Sequence, residues 1–283
     1  MSTFYQPAAL GEALSLLAGA DRPAVLAGGT DIVVARREGK RADTAYLDIT
    51  RIPELRETAQ AEGGVTLGAA VTFSEMENST VLQTHFPLLC QAAASVGSPQ
   101  IRSRGTVGGN VANASPAADV APALAALDAV ALVQSKSGAR RVPVAELIEG
   151  AAKTALDPGE LIVSFFIPAL PPDTRQGFDK IGRRNALSIA RLNGACALTA
   201  RGGKIAQARL CIGAATNRPH RFAEAEALLC GRAPDEALFA EAGKLISAAI
   251  LEETGTRASS VYKLPVAAEF TAALLRKTWE EGI

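Results

Sequence analysis

Two short glycine-rich stretches carry the chain's clearest chemical signal. Ala27-Gly28-Gly29-Thr30-Asp31 and Thr106-Val107-Gly108-Gly109-Asn110 each set a glycine pair beside a threonine and a polar side chain. Glycine reaches φ values closed to other residues and leaves its N–H accessible, so such a stretch can form a nest of main-chain donors for an anion. Two nests in one domain suit a diphosphate, which offers two negative groups and little else to grip. Thr30, Thr106 and Asn110 would add side-chain donors. Two unrelated turns would produce the same strings, and the pattern alone leaves both readings open. Around the second stretch, residues 103–122 place Gly105, Gly108 and Gly109 within five positions and then give up charge almost completely.

Other chemistries lack their residues. Neither G-x-G-x-x-G nor G-x-x-x-x-G-K-S/T occurs, so a nicotinamide domain or a P-loop nucleotide hydrolase has no sequence support. Cys90, Cys196, Cys211 and Cys230 are scattered without a C-x-x-C pair, and the only histidines are His85 and His220. A zinc site or iron–sulfur cluster held by this chain alone is therefore not expected, and the thiols read as idle in a reducing compartment. No acid–base pair and no Ser/His/Asp or Cys/His arrangement stands out. Lys plus Arg and Asp plus Glu both number 29, which leaves no positive field to recruit nucleic acid or an anionic membrane. No leader-like segment opens the chain, and the longest apolar stretch, VAPALAALDAVALV, is broken by Asp128, so the expectation is a cytoplasmic, soluble protein without a membrane span.

Positioning these stretches requires elements that the hydrophobic pattern outlines. RPAVLAGGTDIVVARREG reads as a strand, a tight loop and a helix or second strand. TAYLDIT and GVTLGAAVT read as strands, and FPLLCQAAASVG as a helix closed by Gly97. DVAPALAALDA is a helix leading into the strand VALVQS, which Gly138 turns back; ELIVSFFIP is a strand ended by Pro168. ALPPDTRQG, residues 169–177, marks a boundary between residues 1–170 and 171–283. Beyond it, ACALTARGGKIAQARLCIGAA is a hairpin turning at Gly202-Gly203, followed by helices in RFAEAEALLCG, PDEALFAEAGKLISAAILEE and LPVAAEFTAALLRKTWEE. The order reads as two α+β domains within 283 residues.

The stretch SVGSPQIRSRGTVGGNVANASPAADVAPALAALDA resembles the FAD-binding signature of the flavin subunit of molybdenum hydroxylases, the group that includes xanthine dehydrogenase and aerobic carbon monoxide dehydrogenase. AGGTDI resembles that family's first diphosphate loop, ELIVSFFIP its strand before the domain boundary, and FDKIGRRNALSIARLNGACAL the opening of its C-terminal domain. RASSVYKLPVA is similar to the closing motif, with Lys263 where arginine is more usual. The resemblance spans nearly the whole chain. It implies a two-subdomain FAD-binding domain of the vanillyl-alcohol-oxidase-like type, then a small α+β domain of the carbon monoxide dehydrogenase flavoprotein type.

By this resemblance Ala27, Gly28, Gly29, Thr30 and Asp31 wrap the FAD diphosphate from one side. Thr106, Gly108, Gly109 and Asn110 wrap it from the other. Asn113, Ala114, Ser115 and Asp119 match the stretch along the flavin and ribityl chain, with Asp119 hydrogen-bonding near the flavin edge or to an adenine-side donor, and its position also suits a cap on the helix that follows it. Ala112 and Ile162 match positions on the two faces of the isoalloxazine, which core packing would also explain. Lys180 fits a family lysine near the ring, where a cation stabilises negative charge on the reduced form. Arg183 and Arg184 read as a basic face or a subunit contact.

The resemblance further implies noncovalent FAD, with molybdopterin on a large partner subunit and [2Fe-2S] clusters on a small one, in a dimer of heterotrimers. Electrons would pass from the clusters through FAD to an external acceptor. The alternative is a self-sufficient FAD-dependent oxidase or dehydrogenase of similar fold. Only Cys90 lies in the first domain, so the extra cluster inserted there in some relatives is not expected.

Overall fold

The computed structural model describes residues 3–184 and 187–282, so Asn185 and Ala186 of the FDKIGRRNALSIARLNGACAL motif lie outside the described residues. The chain opens with a parallel sheet of β1 (Thr3–Tyr5), β2 (Ala24–Leu26) and β3 (Ala45–Asp48), ordered β1-β3-β2. Helices Leu10–Leu17 and Ile32–Arg37 make the crossovers that parallel pairing demands. The first glycine stretch is thus the loop from β2 into the helix Ile32–Arg37.

An antiparallel sheet follows, built from β4 (Thr58–Ala61), β5 (Gly64–Gly68), β6 (Val130–Ser135) and β7 (Gly138–Pro143). A small pair, β8 (Ile148–Gly150) and β9 (Lys153–Thr154), precedes β10 (Leu161–Pro168), which inserts between β5 and β6 to give the order β4-β5-β10-β6-β7. The apolar run of β10, broken by the buried Ser164, has a physical reason: both faces of the strand are covered. Leu161 and Val163 point into the core shared with the first sheet, while Ile162, Phe165 and Ile167 enter the larger core, which also holds Val107 and Val111 of the second glycine-rich stretch. A register shift between Ile162 and Ser164 moves the inward parity from even to odd positions.

The third sheet is β11 (Thr174–Gly182), β12 (Ala190–Arg201) and β13 (Lys204–Gly213), antiparallel in that order. Its β12–β13 hairpin turns at Gly202 and Gly203, both in the left-handed region at φ 58° and 73°. Helices Ala223–Leu229, Glu236–Thr254 and Ser260–Glu281 complete its core. Asp235 caps the middle helix by accepting from Leu238 N–H at 2.7 Å. The last helix starts at Ser260, earlier than the expected Leu264, and carries Pro265 inside it. The third sheet also leans on the first core through Phe178, Ala195 and Cys211, and helix Val120–Ala126 packs on β12 and β13. Among the described residues no helix is long and apolar enough to cross a membrane.

Candidate functional site

A cleft of about 930 Å³ opens where the first loop, the second loop and the third sheet meet. It lies toward the upper end of the roughly 300–1,000 Å³ of small-molecule sites. Its lining includes Ala27, Gly28, Gly29, Thr30 and Asp31, then Thr106, Gly108, Gly109, Asn110, Ala112, Asn113, Ser115 and Asp119, and finally Ile162 and Lys180. The fold therefore brings fifteen of the sixteen sequence-predicted residues to one cavity. Ala114 is buried beneath its rim at the end of helix Val107–Asn113, with φ 46°.

The first loop has the makings of an anion nest. Among the described residues the N–H groups of Gly28, Gly29, Thr30 and Asp31 donate to no protein acceptor. Gly29 sits at φ 76°. Gly28 is required for a different reason: a Cβ there would stand 1.9 Å from the Arg104 carbonyl oxygen and 2.9 Å from Gly105 Cα. The two glycine-rich stretches touch backbone to backbone, and Asn113 Nδ2 donates to Asp31 Oδ1 at 3.2 Å to tie them further.

The second loop corrects the expectation of a matching nest. Val107 N–H donates to Val71 O at 3.0 Å, Gly108 N–H to Ala69 O at 2.8 Å, Gly109 N–H to Thr106 Oγ1 at 3.1 Å and Asn110 N–H to Thr106 O at 3.0 Å. These donors are consumed because the stretch is the capped start of helix Val107–Asn113, seated on the strand-end segment at Ala69–Val71. Its glycines serve packing. A Cβ on Gly108 would lie 2.7 Å from Ala69, and one on Gly105 2.7 Å from the Phe73 ring, whereas one on Gly109 would meet only Thr106 Oγ1, at 2.9 Å. Asn110 spends its Oδ1 on Ala121 N–H at 3.2 Å.

Asp119 also departs from expectation. It precedes helix Val120–Ala126, yet its side chain makes no capping bond. The carboxylate turns to Lys180, whose Nζ approaches Oδ2 at 2.5 Å, and accepts from Asn193 Nδ2 at 2.8 Å on Oδ1. An ion pair with a second-domain lysine outcompetes a local cap in so dry a place. Lys180 is accordingly a paired cation that also donates to Ser95 O at 3.0 Å. Burial pushes the Asp119 carboxyl above the ordinary carboxylate range, while the Lys180 ammonium and the Asn193 amide pull it back.

Sequence reasoning missed several residues. Asn193 and Ser95 sit behind the cleft wall and complete the ion-pair network, and Leu187, Ser188 and Ile189 add a further stretch of lining, with Ile189 79% exposed. An Asn inside the otherwise apolar run of β12 was the available signal for the first. Arg183 and Arg184 are exposed beside this wall. His85 and His220 do not line the cleft. Cys90, Cys196 and Cys211 are buried and Cys230 is exposed. Among the described residues no three His, Cys, Asp or Glu side chains group as metal ligands.

Comparison with known proteins places this architecture. Residues 1–170 match the FAD binding domain in molybdopterin dehydrogenase, and residues 178–278 match the CO dehydrogenase flavoprotein C-terminal domain. The chain belongs to this family of FAD-binding subunits of multisubunit oxidoreductases. Its similarity to the xanthine dehydrogenase FAD-binding subunit of Escherichia coli is 31% identity over 260 residues, covering 91% of this chain and 88% of the relative. The carbon monoxide dehydrogenase medium chain of Hydrogenophaga pseudoflava is 28% identical over 280 residues, 98% of this chain and 96% of that one. The solved carbon monoxide dehydrogenase of that organism superposes with a TM-score of 0.93 at 26% identity, covering 100% of this chain and 98% of the other.

FAD is the cofactor of this fold, and the cleft's chemistry fits it. Four free N–H groups in one loop suit a diphosphate, and a backbone contact that only glycine permits shapes their seat.

Proposed function

We propose that this chain is the cytoplasmic electron-transfer subunit of a molybdenum-containing hydroxylase. On this reading a large molybdopterin subunit oxidises an organic substrate, [2Fe-2S] clusters on a small subunit carry the electrons onward, and this chain delivers them to an external acceptor. Two such heterotrimers pair. FAD, bound noncovalently, supplies the redox centre.

The chain's own residues bind, orient and shield. Gly28 to Asp31 offer main-chain donors to the diphosphate, with Thr30 beside them. Thr106, Gly108, Gly109 and Asn110 close the opposite side by shape, helix polarity and the Asn110 amide rather than by a second nest. Asn113 and Ser115 follow the ribityl chain. Ala112 and Ile162 cover the ring faces and keep water out, and Asp119 with Lys180 forms the polar contact near the ring.

The observation that carries the reading is the composition of the cleft wall: free main-chain donors in one loop and a buried ion pair from two domains line one cavity. The test mixes the isolated yellow chain anaerobically with purines, aldehydes and N-heterocycles. No flavin reduction at catalytic rates is expected. Coexpression with the partner subunits should restore turnover that bleaches clusters and flavin in sequence. Rapid reduction of the lone chain would establish the self-sufficient flavoenzyme instead.

A further inference from the structure

Ala214 follows β13 in a conformation that residues with a Cβ rarely adopt, at φ 58°. Both of its main-chain polar groups are engaged. Its N–H donates to Pro116 O at 3.0 Å, and its carbonyl accepts from Lys263 Nζ at 2.7 Å. Pro116 has no N–H, so that carbonyl is its only main-chain hydrogen-bonding group. It lies between Ser115 and Ala117, and Ser115, Ala117, Ala118 and Asp119 all line the cleft. A contiguous set of contacts thus runs from the first turn of helix Ser260–Glu281, through Ala214, to the cleft wall. Lys263 itself does not line the cleft.

A cation at position 263 is unfavourable on several counts. It stands in the first turn of a 22-residue helix, where the dipole opposes positive charge and no acidic residue offsets it. Partial burial and the nearby Arg257 and Arg191 guanidiniums hold its ammonium below the ordinary lysine range. Among the described residues it forms no ion pair. A methionine of similar length would cover the same apolar surface without these penalties. What the lysine does provide is a donor on a long stem that reaches a carbonyl 49 residues away in sequence, the one that caps a left-handed alanine.

We infer that Lys263 is a positioning residue for the cofactor: by holding the Ala214 carbonyl it keeps Ala214 left-handed, and the Ala214 N–H in turn anchors Pro116 and the wall at 115–119 that faces FAD. This rests on the reading of the cleft as the FAD site. Without the lysine, Ala214 relaxes toward negative φ and its N–H turns away from Pro116 O. The wall then loses one of its ties to the second domain, and the groups it presents to FAD are held less closely to their binding geometry.

The experiment has two readouts on the full chain. One is the FAD dissociation constant, from quenching of flavin fluorescence on titration into apoprotein; the other is the hydrogen-exchange rate of the Ala214 N–H without FAD, by NMR. Lys263→Met should weaken FAD binding about 3- to 30-fold. It should also speed exchange at Ala214. Adding Ala214→Gly to the methionine variant should recover most of the affinity, because glycine holds φ 58° without the lysine. A role for Lys263 in helix packing alone would not be rescued at position 214. Parent-like affinity or an unchanged Ala214 exchange rate in the methionine variant overturns the proposal, as does a loss of affinity that Ala214→Gly fails to recover. Should the methionine variant not fold, Lys263→Gln, one atom shorter and uncharged, carries the same expectations and the same refutation. If the parent chain takes up no FAD, the cleft reading fails and the cofactor role of Lys263 with it, while the exchange rate still decides whether the lysine holds Ala214.

Discussion

Replacing Gly28 with alanine tests the central geometric claim about the cleft. The new Cβ would stand 1.9 Å from the Arg104 carbonyl oxygen, so one of two backbone segments must retreat by about 1.5 Å to reach ordinary contact near 3.4 Å. Neither is a flexible side-chain end. Arg104 O belongs to the turn feeding the capped helix Val107–Asn113, and Gly28 to the loop with four free donors. Overpacking of this kind costs roughly 1–3 kcal/mol. The movement separates the loops that wrap the same ligand, so the cost should fall on binding, a loss of about 5- to 150-fold in FAD affinity. Quenching of flavin fluorescence on titration into apoprotein measures it directly. Gly11→Ala is the control, because a Cβ there meets nothing within 4 Å and lies in a helix where alanine is preferred. A Gly28→Ala protein that binds FAD as tightly as the parent would show that the two loops do not jointly form the site.

Three further outcomes follow from the same geometry. Gly109→Asp should abolish FAD retention while the protein stays folded, since its Cβ meets only Thr106 Oγ1 but its carboxylate would confront a diphosphate; flavin stoichiometry after gel filtration decides, and an unchanged ratio refutes it. Glu160 accepts two hydrogen bonds from Arg140, which holds its carboxyl below the ordinary range. The linked stability is present above that range and lost as pH falls through the lowered folded value, so Glu160→Gln should flatten the acid limb of denaturation curves by at most about 1 kcal/mol, and identical limbs would refute it. Burial pushes Cys90 up to about 11, Cys196 up to about 12 and Cys211 higher still, whereas Cys230 is exposed. A maleimide near pH 8 should label one thiol per native chain and four after denaturation, by intact mass; additional rapid labelling of the native chain would contradict the burial.

The local features were open to sequence reasoning because their causes are local. Gly202-Gly203 turns a hairpin since two left-handed residues match the strand twist, and β10 announces itself by an apolar run that is covered on both faces. The fifteen cleft residues came from a family resemblance more than from spacing, and the structure gathers them without assigning their contacts to a ligand. What the string could not reveal are long-range partners. Whether a loop's N–H groups are free depends on Ala69, Val71 and Thr106 for the second loop, while among the described residues none accepts from those of the first. Whether Asp119 caps a helix or faces a lysine depends on Lys180 and Asn193, which arrive through a different sheet. Neighbours remote in sequence chose the outcome in both cases, and propensity carries no information about them.

Lys180 and Ile189 belong to the wall of the cleft, yet both lie well past the middle of the chain, one within β11 and one just before β12. During synthesis the residues through β10 emerge and can fold as a unit first. At that stage the glycine loops exist, but the ion pair and the apolar wall do not. With FAD seated in the cleft as proposed, the nascent chain could hold it but not enclose it, and loading would be complete only when the third sheet has left the ribosome and docked. On that reading the cofactor would act as a splint between domains, and the mature protein's resistance to proteolysis should track the supply of flavin in the cell.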